Sequence, residues 1–189
     1  MKIYSLNKLH WISQGFGKLN TAPAMLPLYQ SLGLQGHDGL DFMVNCKNYQ
    51  VKHGGKCEPV YCNVEGDGQL TVTKIQKDDT YGWGLIAVDD RWNKFLWWHF
   101  DYFNPILLEG SKLNPGDIIG YSGNTGYSTG AHCHFGWYPY GADYQNGYHG
   151  AEDCTPYYDN RFILDVENQI GIIRKLILLY QQLIALLKR

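Results

Sequence analysis

The chain of 189 residues carries little charge and contains no long apolar run. Charged residues make up 18%, and 16 Lys and Arg against 18 Asp and Glu leave a net charge of −2. A balance this close to zero argues against binding of a nucleic-acid backbone as the main role. The longest apolar runs, 176–180 and 183–187, have five residues each, so we predict no transmembrane helix.

The first ten residues lack the apolar core of a secretory signal and have mixed polarity. We therefore expect a chain that is soluble as encoded. If it acts outside the cell, something else must release or carry it.

The five cysteines are an odd number, which excludes a fully paired disulfide framework. One disulfide among Cys46, Cys57 and Cys62 and a set of buried free thiols remain open alternatives. A zinc site built from thiolates needs pairs at closer spacing, and the redox compartment stays undecided.

What the sequence has in abundance is aromatic residues, at 15%, and glycine, which occurs 22 times. This composition favours a β-rich domain with many turns over a helical bundle. Short alternating or β-branched runs predict the strands 69–75, 84–89, 94–99, 117–121 and 131–137, and residues 138–156 predict a long loop. We predict a mainly β fold, a compact antiparallel β-sheet or sandwich over residues 1–160, followed by a C-terminal α-helix in residues 161–189.

Apolar residues in the C-terminal segment follow a 3-4 spacing that predicts one amphipathic helix. The main row is Ile163, Val166, Ile170, Ile173, Ile177, Tyr180, Ile184 and Leu187, and a second row is Ile172, Leu176, Leu179, Leu183 and Leu186. A helix this apolar must pack on something, so we predict self-association or docking to a partner helix. Folding back onto the β domain is the alternative. Membrane-surface binding is weaker, because the segment offers only Arg174, Lys175, Lys188 and Arg189 as basic groups.

One candidate site lies in the run 36–42, where His37 and Asp41 are four residues apart. Gly36 and Gly39 disfavour a helix, but in an extended chain this even spacing also places both side chains on one face. An imidazole and a carboxylate so placed are plausible metal ligands.

A second candidate site is the run 131–135, where His132 and His134 flank Cys133. In a strand the two imidazoles point the same way, while Cys133 points to the opposite side and is expected in the core. Two imidazoles on one sheet face usually serve metal binding or catalysis.

His99 follows two tryptophans on a third predicted strand. Two histidines and one carboxylate, with an open fourth position for water, form a catalytic zinc arrangement, and two further histidines are left to act on that water. The remaining His10, His53 and His149 are interpreted as lying outside the site, with His53 and His149 on the surface.

These motifs occur in a characteristic order: Gly36-His37-x-Gly39-x-Asp41, then Trp97-x-His99, then a Gly-rich run from Gly120 that ends in His132-x-His134-Phe135. Together they resemble the lysostaphin-type zinc metallopeptidases, peptidase family M23. Gln14-Gly15-Phe16-Gly17 and the segment 113–120 are similar to flanking parts of the family's domain. The resemblance covers roughly residues 11–158.

The resemblance implies that His37, Asp41 and His134 hold one Zn²⁺ per chain and that His99 and His132 form the catalytic pair. It also implies a compact antiparallel β fold with the site in a groove walled by loops. The substrate it implies is the peptide part of bacterial cell walls.

The sequence departs from the family pattern beside these histidines. Trp97 stands where the family often has Tyr, and Phe100 and Cys133 stand where it usually has aliphatic residues. We expect these departures to change groove shape and substrate preference rather than the chemistry. Side chains predicted to line the groove and contact the substrate are Tyr121, Tyr127 and Trp137.

We predict a zinc metalloendopeptidase that hydrolyses peptide bonds in peptidoglycan outside the membrane, as a phage-type lysin released by lysis or carried in the virion. One alternative is a zinc hydrolase of another specificity, such as a peptidase of Gly-rich proteins. Another is a catalytically dead relative that binds wall peptide, activates a partner enzyme or builds a phage tail. All five motif positions are present, which favours the enzyme. The bond cleaved, a direct cross-link or a glycine bridge, is left open.

Overall fold

The computed structural model describes residues 1–9, 11–44, 58–79 and 82–187 and confirms a mainly β fold with a C-terminal helix. The strands of this part of the chain are β1 (Lys2–Ser5), β2 (Ile12–Gln14), β3 (Leu40–Met43), β4 (Pro59–Tyr61), β5 (Val64–Glu65), β6 (Leu70–Asp78), β7 (Gly82–Val88), β8 (Lys94–Trp98), β9 (Phe100–Phe103), β10 (Lys112–Leu113), β11 (Ile118–Ser122), β12 (His132–Tyr138) and β13 (Tyr158–Phe162). The α-helices are α1 (Leu26–Ser31) and α2 (Ile163–Leu187).

The largest sheet of the described residues has seven antiparallel strands in the order β10-β6-β7-β8-β12-β3-β2. Two three-stranded sheets accompany it, β4-β11-β9 and β13-β1-β5. Within the last of these, β1 and β13 pair in parallel, which joins the two ends of the β domain. The neighbours β8, β12 and β3 carry or adjoin the five candidate metal-binding and catalytic residues.

The core lies on one face of the large sheet and follows from the alternation of side chains along its strands. Phe95 and Trp97 of β8 and Phe135 of β12 are fully buried, and the rings of Trp97 and Phe135 lie 5.5 Å apart in an edge-on contact. The indole N–H of Trp97 donates to the side chain of Asn63 at 2.9 Å, so its polar atom is satisfied. Burial of each such ring stabilises the sheet by roughly 1.5–3 kcal/mol.

All five predicted strands are confirmed within a few residues of their bounds. They are β6, β7, β8, β11 and β12. Residues 139–154, most of the predicted loop, contain neither strand nor helix. The prediction overlooked α1, a helix of six residues that begins beside Pro27, where proline is tolerated because the first amides need no partner. In the part of the chain that the structure covers, no helix is apolar and long enough to span a membrane.

Helix α2 packs on the β domain only through its first turns. Ile163 and Val166 are buried in a cluster with Tyr4 and Phe162. Beyond them, eight large apolar side chains are each 51–66% exposed: Ile172, Ile173, Leu176, Ile177, Leu178, Leu179, Tyr180 and Leu183. The alternative in which the whole apolar stripe folds back onto the β domain is therefore wrong.

The described cysteines, Cys62, Cys133 and Cys154, are buried free thiols. Burial raises the pKa of Cys62 and of Cys154 to about 12, which keeps both thiols protonated and unreactive at neutral pH. Cys46 and Cys57 lie outside the described residues, as do His10 and His53.

Candidate metal centre

The pairing of β3 with β12 brings two of the candidate ligands together. His134 stands directly opposite Asp41 in this antiparallel register, with both side chains on the face away from the core. His37 precedes β3. An antiparallel backbone bridge to Gly17, just after β2, holds it in place. Two ligand candidates from one short segment and a third from a distant strand therefore meet on one face of the sheet.

The donor atoms of these three side chains converge to within a hydrogen-bond length of one another. His37 Nε2 lies 2.9 Å from His134 Nδ1 and 3.0 Å from Asp41 Oδ1, and His134 Nδ1 lies 3.0 Å from the same carboxylate oxygen. All three side chains are buried. Two imidazole nitrogens and a carboxylate oxygen form a donor set that Zn²⁺ prefers.

A backbone carbonyl fixes the tautomer of His37, that is, which of its ring nitrogens carries the proton. Its Nδ1 lies 2.9 Å from the carbonyl oxygen of Gly15, so this nitrogen carries the proton and donates it. The other ring nitrogen, Nε2, therefore presents a lone pair to the cluster. The backbone N–H of His37 donates to Thr21 Oγ1 at 2.7 Å, which holds the residue in place from the other side. Such an outer hydrogen bond is what orients a metal-binding imidazole.

The charges of the cluster favour a cation at its centre. Burial alone would raise the pKa of Asp41, but the imidazoles of His132, His37 and His134 outweigh it and hold that pKa well below its usual range. Burial opposes protonation of His134, yet the hydrogen bond to Asp41 and the charge of Asp38 raise its pKa. An ionised carboxylate that draws positive charge onto its neighbours is the setting in which a divalent metal replaces protons. The residues present therefore fit a zinc ion.

Gly39 makes room for His134. A side chain at this position would place its first carbon 2.2 Å from the carbonyl oxygen of Phe135 and 2.7 Å from the His134 ring. The close approach of the 37–41 segment to His134 therefore requires a glycine at position 39.

His99 and His132 lie beside the cluster with their rings together, at a centroid distance of 4.5 Å. His132 Nδ1 is 2.7 Å from the carbonyl oxygen of Gly130, and His99 Nδ1 is 2.8 Å from that of Thr125. Both nitrogens therefore donate to the Gly-rich loop between β11 and β12, and both Nε2 atoms are left as bases. His132 Nε2 is 3.6 Å from Asp41 Oδ1, which places it at the edge of the metal cluster.

His99 occupies a break between β8 and β9, where its backbone has a φ of 68°. A positive φ is uncommon outside glycine and turns the imidazole out of the strand toward the groove. Gly82 lies against it with a φ of 100°, and a side chain there would meet the Thr125 carbonyl at 2.8 Å. Burial lowers the pKa of His99 well below its usual value, and the rings of His132 and His134 lower it further, so the imidazole is neutral at pH 7.

Two hollows flank the cluster and together form a groove. The first, which we call the Trp98 hollow, has a volume of about 560 Å³ and includes Trp98, Tyr127 and Leu32 beside His99 and His134. The second, the Trp11 hollow, has a volume of about 600 Å³ and is lined by Trp11, Met25, Met43, Asp41 and His132 among others. An extended chain can therefore cross the donor atoms with contacts on both sides.

The three aromatic residues predicted to contact the substrate lie in different places. Tyr127 lines the Trp98 hollow. Tyr121 belongs to β11 of a separate sheet, where its ring lies 6.3 Å from that of Tyr102. Trp137 lies on the core face of β12 and packs against Tyr157, because it is an odd number of residues from His134. The structure therefore places Trp137 in the core rather than in the groove.

The departures from the family pattern also lie in the core. Trp97, Phe100 and Cys133 are all fully buried and point away from the groove. Our expectation that they reshape the groove is therefore corrected. The neighbouring Trp98 lines the groove instead.

Sequence reasoning missed three polar residues at the site. Tyr29 lines the Trp98 hollow with its ring edge-on to His37 at 5.8 Å, and Gln14 Nε2 donates to its hydroxyl oxygen at 2.9 Å. Asp38 Oδ1 lies 3.8 Å from His134 Nε2, on the side away from the donor atoms. Burial and the charges of Asp41 and Asp38 raise the pKa of Tyr29, so its hydroxyl keeps its proton. For Asp38 the sequence held a signal, since it directly follows His37.

A buried set of two imidazoles and a carboxylate, with two basic imidazoles beside it in an open groove, defines a site for metal-assisted hydrolysis. The model of peptidase family M23 matches residues 35–146, more than half of the chain, and the chain belongs to this family.

The glycyl-glycine endopeptidase ALE-1 of Staphylococcus capitis is 31% identical over 108 residues, which is 55% of this chain and 25% of ALE-1. The chain thus spans about a quarter of that relative. The solved structure of LytU is 29% identical, has a TM-score of 0.52 and is matched over 77% of this chain and 82% of its own. Lysostaphin of Staphylococcus simulans, at 21% identity and a TM-score of 0.54 over 83% of this chain and 53% of its own, shares the fold.

Proposed function

We propose that the protein is a zinc metalloendopeptidase that cleaves peptide bonds in bacterial peptidoglycan. The observation that carries this proposal is the convergence of His37 Nε2, Asp41 Oδ1 and His134 Nδ1 beside two imidazoles whose Nε2 atoms are free bases. Family membership and the similarity to ALE-1, a glycyl-glycine endopeptidase, support it. In this proposal His37, Asp41 and His134 hold the metal, and His99 and His132 do the proton transfer.

Zinc bound by these three side chains would supply a Lewis acid and a water of lowered pKa. His132 is placed to take the proton of that water, since its Nε2 faces the cluster while Gly130 holds its Nδ1. His99 lies beside His132 and is neutral, so it can share the proton and then stabilise the charge that develops on the carbonyl oxygen.

Tyr29 is a further candidate to stabilise that oxygen. Gln14 already donates to the Tyr29 oxygen, which leaves the phenolic proton to be donated into the Trp98 hollow. Since the pKa of this phenol is raised, it remains a donor at every working pH.

Digestion of purified sacculi from several wall types, followed by mass spectrometry of the products, tests the activity. We expect new amino termini in the peptides and unbroken glycan strands. Walls with glycine bridges and walls with direct cross-links, compared in parallel, identify the bond. Release of sugar fragments without peptide cleavage, or no release from any wall type, would contradict the proposal.

We further propose that α2 joins a second copy of this chain. Its exposed stretch from Ile172 to Leu183 carries eight large apolar side chains, each more than half exposed. A contiguous apolar surface of this kind marks an interaction site. The 3-4 spacing lets the same rows of two antiparallel or parallel helices interlock. An assembly of this kind would carry several sites to one wall surface and raise avidity.

Sedimentation of the full-length chain at tens of micromolar tests this association. Ile177→Glu, in the middle of the exposed stretch, should shift the protein to monomer because it places a charge in the interface. Gln181→Glu adds the same charge at a polar position of the helix and serves as the control. A full-length protein that is monomeric before substitution would refute self-association.

A further inference from the structure

A third hollow, separate from the two that flank the metal cluster, lies beyond the ends of β7, β8 and β12. Its volume is about 320 Å³, and its rim carries the exposed rings of Trp92, Tyr140 and Tyr144. These side chains are 67%, 76% and 69% exposed. We call this feature the aromatic hollow. Rings of this size are normally buried, so three of them around one concave surface call for an occupant.

The backbone holds these rings in place at some cost. Among the described residues, only Trp92, His99 and His149 combine a side chain with a positive φ. His99 lies at the candidate metal centre, and the other two line the aromatic hollow. A bulky residue with a φ of 65°, such as Trp92, is an outlier that persists where the surrounding structure enforces it.

The turn that carries Trp92 is built by hydrogen bonds rather than left loose. Asp89 accepts from the backbone N–H of Asn93 at 2.9 Å and from its side chain at 2.8 Å. Asn93 Oδ1 in turn accepts from the backbone N–H of Tyr140 at 3.0 Å, which ties the Trp92 turn to the Tyr140 loop. The backbone segments that carry the two rings are thus tied together by one hydrogen-bond network without a ligand.

The chemistry of the hollow suits a sugar ring. Tyr144 stacks on His149 at 5.1 Å with an interplanar angle of 27°, and Lys94 Nζ lies 4.4 Å above the ring of Tyr138 on the hollow's floor. Flat aromatic faces pack on the apolar C–H faces of a pyranose, while the ammonium, imidazole and phenol groups at the edge can meet its hydroxyl and acetamido groups. His149 Nε2 lies 2.9 Å from the Leu32 carbonyl oxygen, and an acyl chain would offer the remaining polar groups of the hollow no hydrogen bond.

The aromatic hollow adjoins the peptide groove. His149 lines both the aromatic hollow and the Trp98 hollow. The Tyr138 hydroxyl donates to Asp38 Oδ2 at 3.0 Å, and the other oxygen of Asp38 lies 3.8 Å from His134. A polymer whose peptides branch from sugar rings can therefore occupy the groove and the aromatic hollow at the same time.

We propose that the aromatic hollow binds amino-sugar rings of the glycan strand, so that the enzyme grips the sugar backbone beside the peptide it cuts. The choice of this polymer rests on the proposed function, while the sugar-binding chemistry of the hollow does not. Trp92 and Tyr140 are the rings that contact the sugar faces, and Lys94 and His149 meet its polar edge.

Isothermal titration of the full-length protein with the tetramer of N-acetylglucosamine tests the proposal. We expect saturable binding, weakened about tenfold in each of Trp92→Ala and Tyr140→Ala, since one stacked ring contributes on the order of a kcal/mol. Trp92→Phe should keep most of the affinity. Ile106→Ala removes an exposed apolar side chain that lines none of the three hollows and should leave sugar affinity unchanged.

A nuclear Overhauser contact between the Trp92 indole and sugar protons in the unsubstituted protein gives a second readout that does not depend on how the variants fold. Absence of saturable binding, or affinity that falls equally in Ile106→Ala, would overturn the proposal. The titration measures sugar binding and not hydrolysis. A protein that binds the tetramer but cleaves no peptide in the sacculus digestion would therefore refute the proposed function and leave the sugar site standing.

Discussion

The two faces of β12 are made of alternate residues and have opposite characters. One face presents His132 and His134 to the groove, where their ring nitrogens approach Asp41 and His37. The other face buries Cys133, Phe135 and Trp137 among aromatic rings. A shift of one residue in register would exchange the two sets completely.

This contrast shows where the chain tolerates change. On the groove face each histidine is held at set distances by particular polar partners, so a substitution removes a function. On the core face what matters is volume and polarity, so residues of similar size can replace one another. The positions at which this chain departs from its family, Trp97, Phe100 and Cys133, are all on core faces, in agreement with this reasoning.

The largest effect is expected when a ligand on the groove face is removed. In Asp41→Ala and in His134→Ala, two donor atoms remain, too few to retain zinc at a catalytic site. We expect metal content, measured by elemental analysis, and peptide hydrolysis to fall to background together. Asp90→Asn removes an exposed carboxylate away from the site and should keep about one zinc per chain. Retention of full activity in a chelator would sink the assignment.

A smaller but still large effect is expected from the neighbouring imidazoles. His99→Ala and His132→Ala should keep the metal and lose about 10²–10⁴-fold in kcat, the range typical of a general base. Zinc content and kcat are measured on the same preparation. Loss of zinc in His132→Ala together with its retention in His134→Ala would mean that the roles within the pair are reversed.

A side chain at Gly39 would press on β12, because Gly39 lies against the backbone of Phe135 and the ring of His134. In Gly39→Ala the new methyl group meets the Phe135 carbonyl and the His134 ring, so we expect a loss of about 1–3 kcal/mol in the free energy of unfolding and weaker zinc binding. Thermal melts with and without zinc check both effects. Gly66→Ala, where no atom lies within 4 Å, is the matched control. Equal behaviour of the two variants would show that the close approach has no energetic weight.

The smallest effect is expected on the core face of β12. Cys133→Val exchanges a buried thiol for an apolar group of similar size, so activity should stay within severalfold of the original. The thiol has a pKa raised well above its usual value by burial and by the charge of Asp41, which disfavours the thiolate needed for metal binding. A large loss of zinc in Cys133→Val would show that this face takes part in the site.

Much of this arrangement follows from periodicity that is visible in the sequence. Alternation along 131–137 separates His134 from Cys133, and the 3-4 spacing beyond Phe162 defines α2. The same alternation assigns Trp137 to the core, a consequence that our interpretation of it as a groove residue overlooked. The alternation in the sequence thus contained the correct position of Trp137, although our prediction did not use it.

Contacts between segments that are distant in sequence were not predictable from the local sequence pattern. The carbonyl groups of Gly15, Thr125 and Gly130 set the tautomers of three histidines, yet a carbonyl is present at every residue and leaves no signature. Tyr29 reaches the site from α1, whose six residues are too few to show a helical period. The hollows likewise exist only where distant loops meet.

X-ray absorption at the zinc edge of the full-length, zinc-loaded protein tests the central claim most directly, because nitrogen and oxygen scatter differently from sulfur. The account predicts a shell of nitrogen and oxygen atoms at about 2.0–2.1 Å with imidazole outer scattering and no sulfur. A sulfur atom at about 2.3 Å would place a thiolate in the site and contradict the division between the two faces of β12.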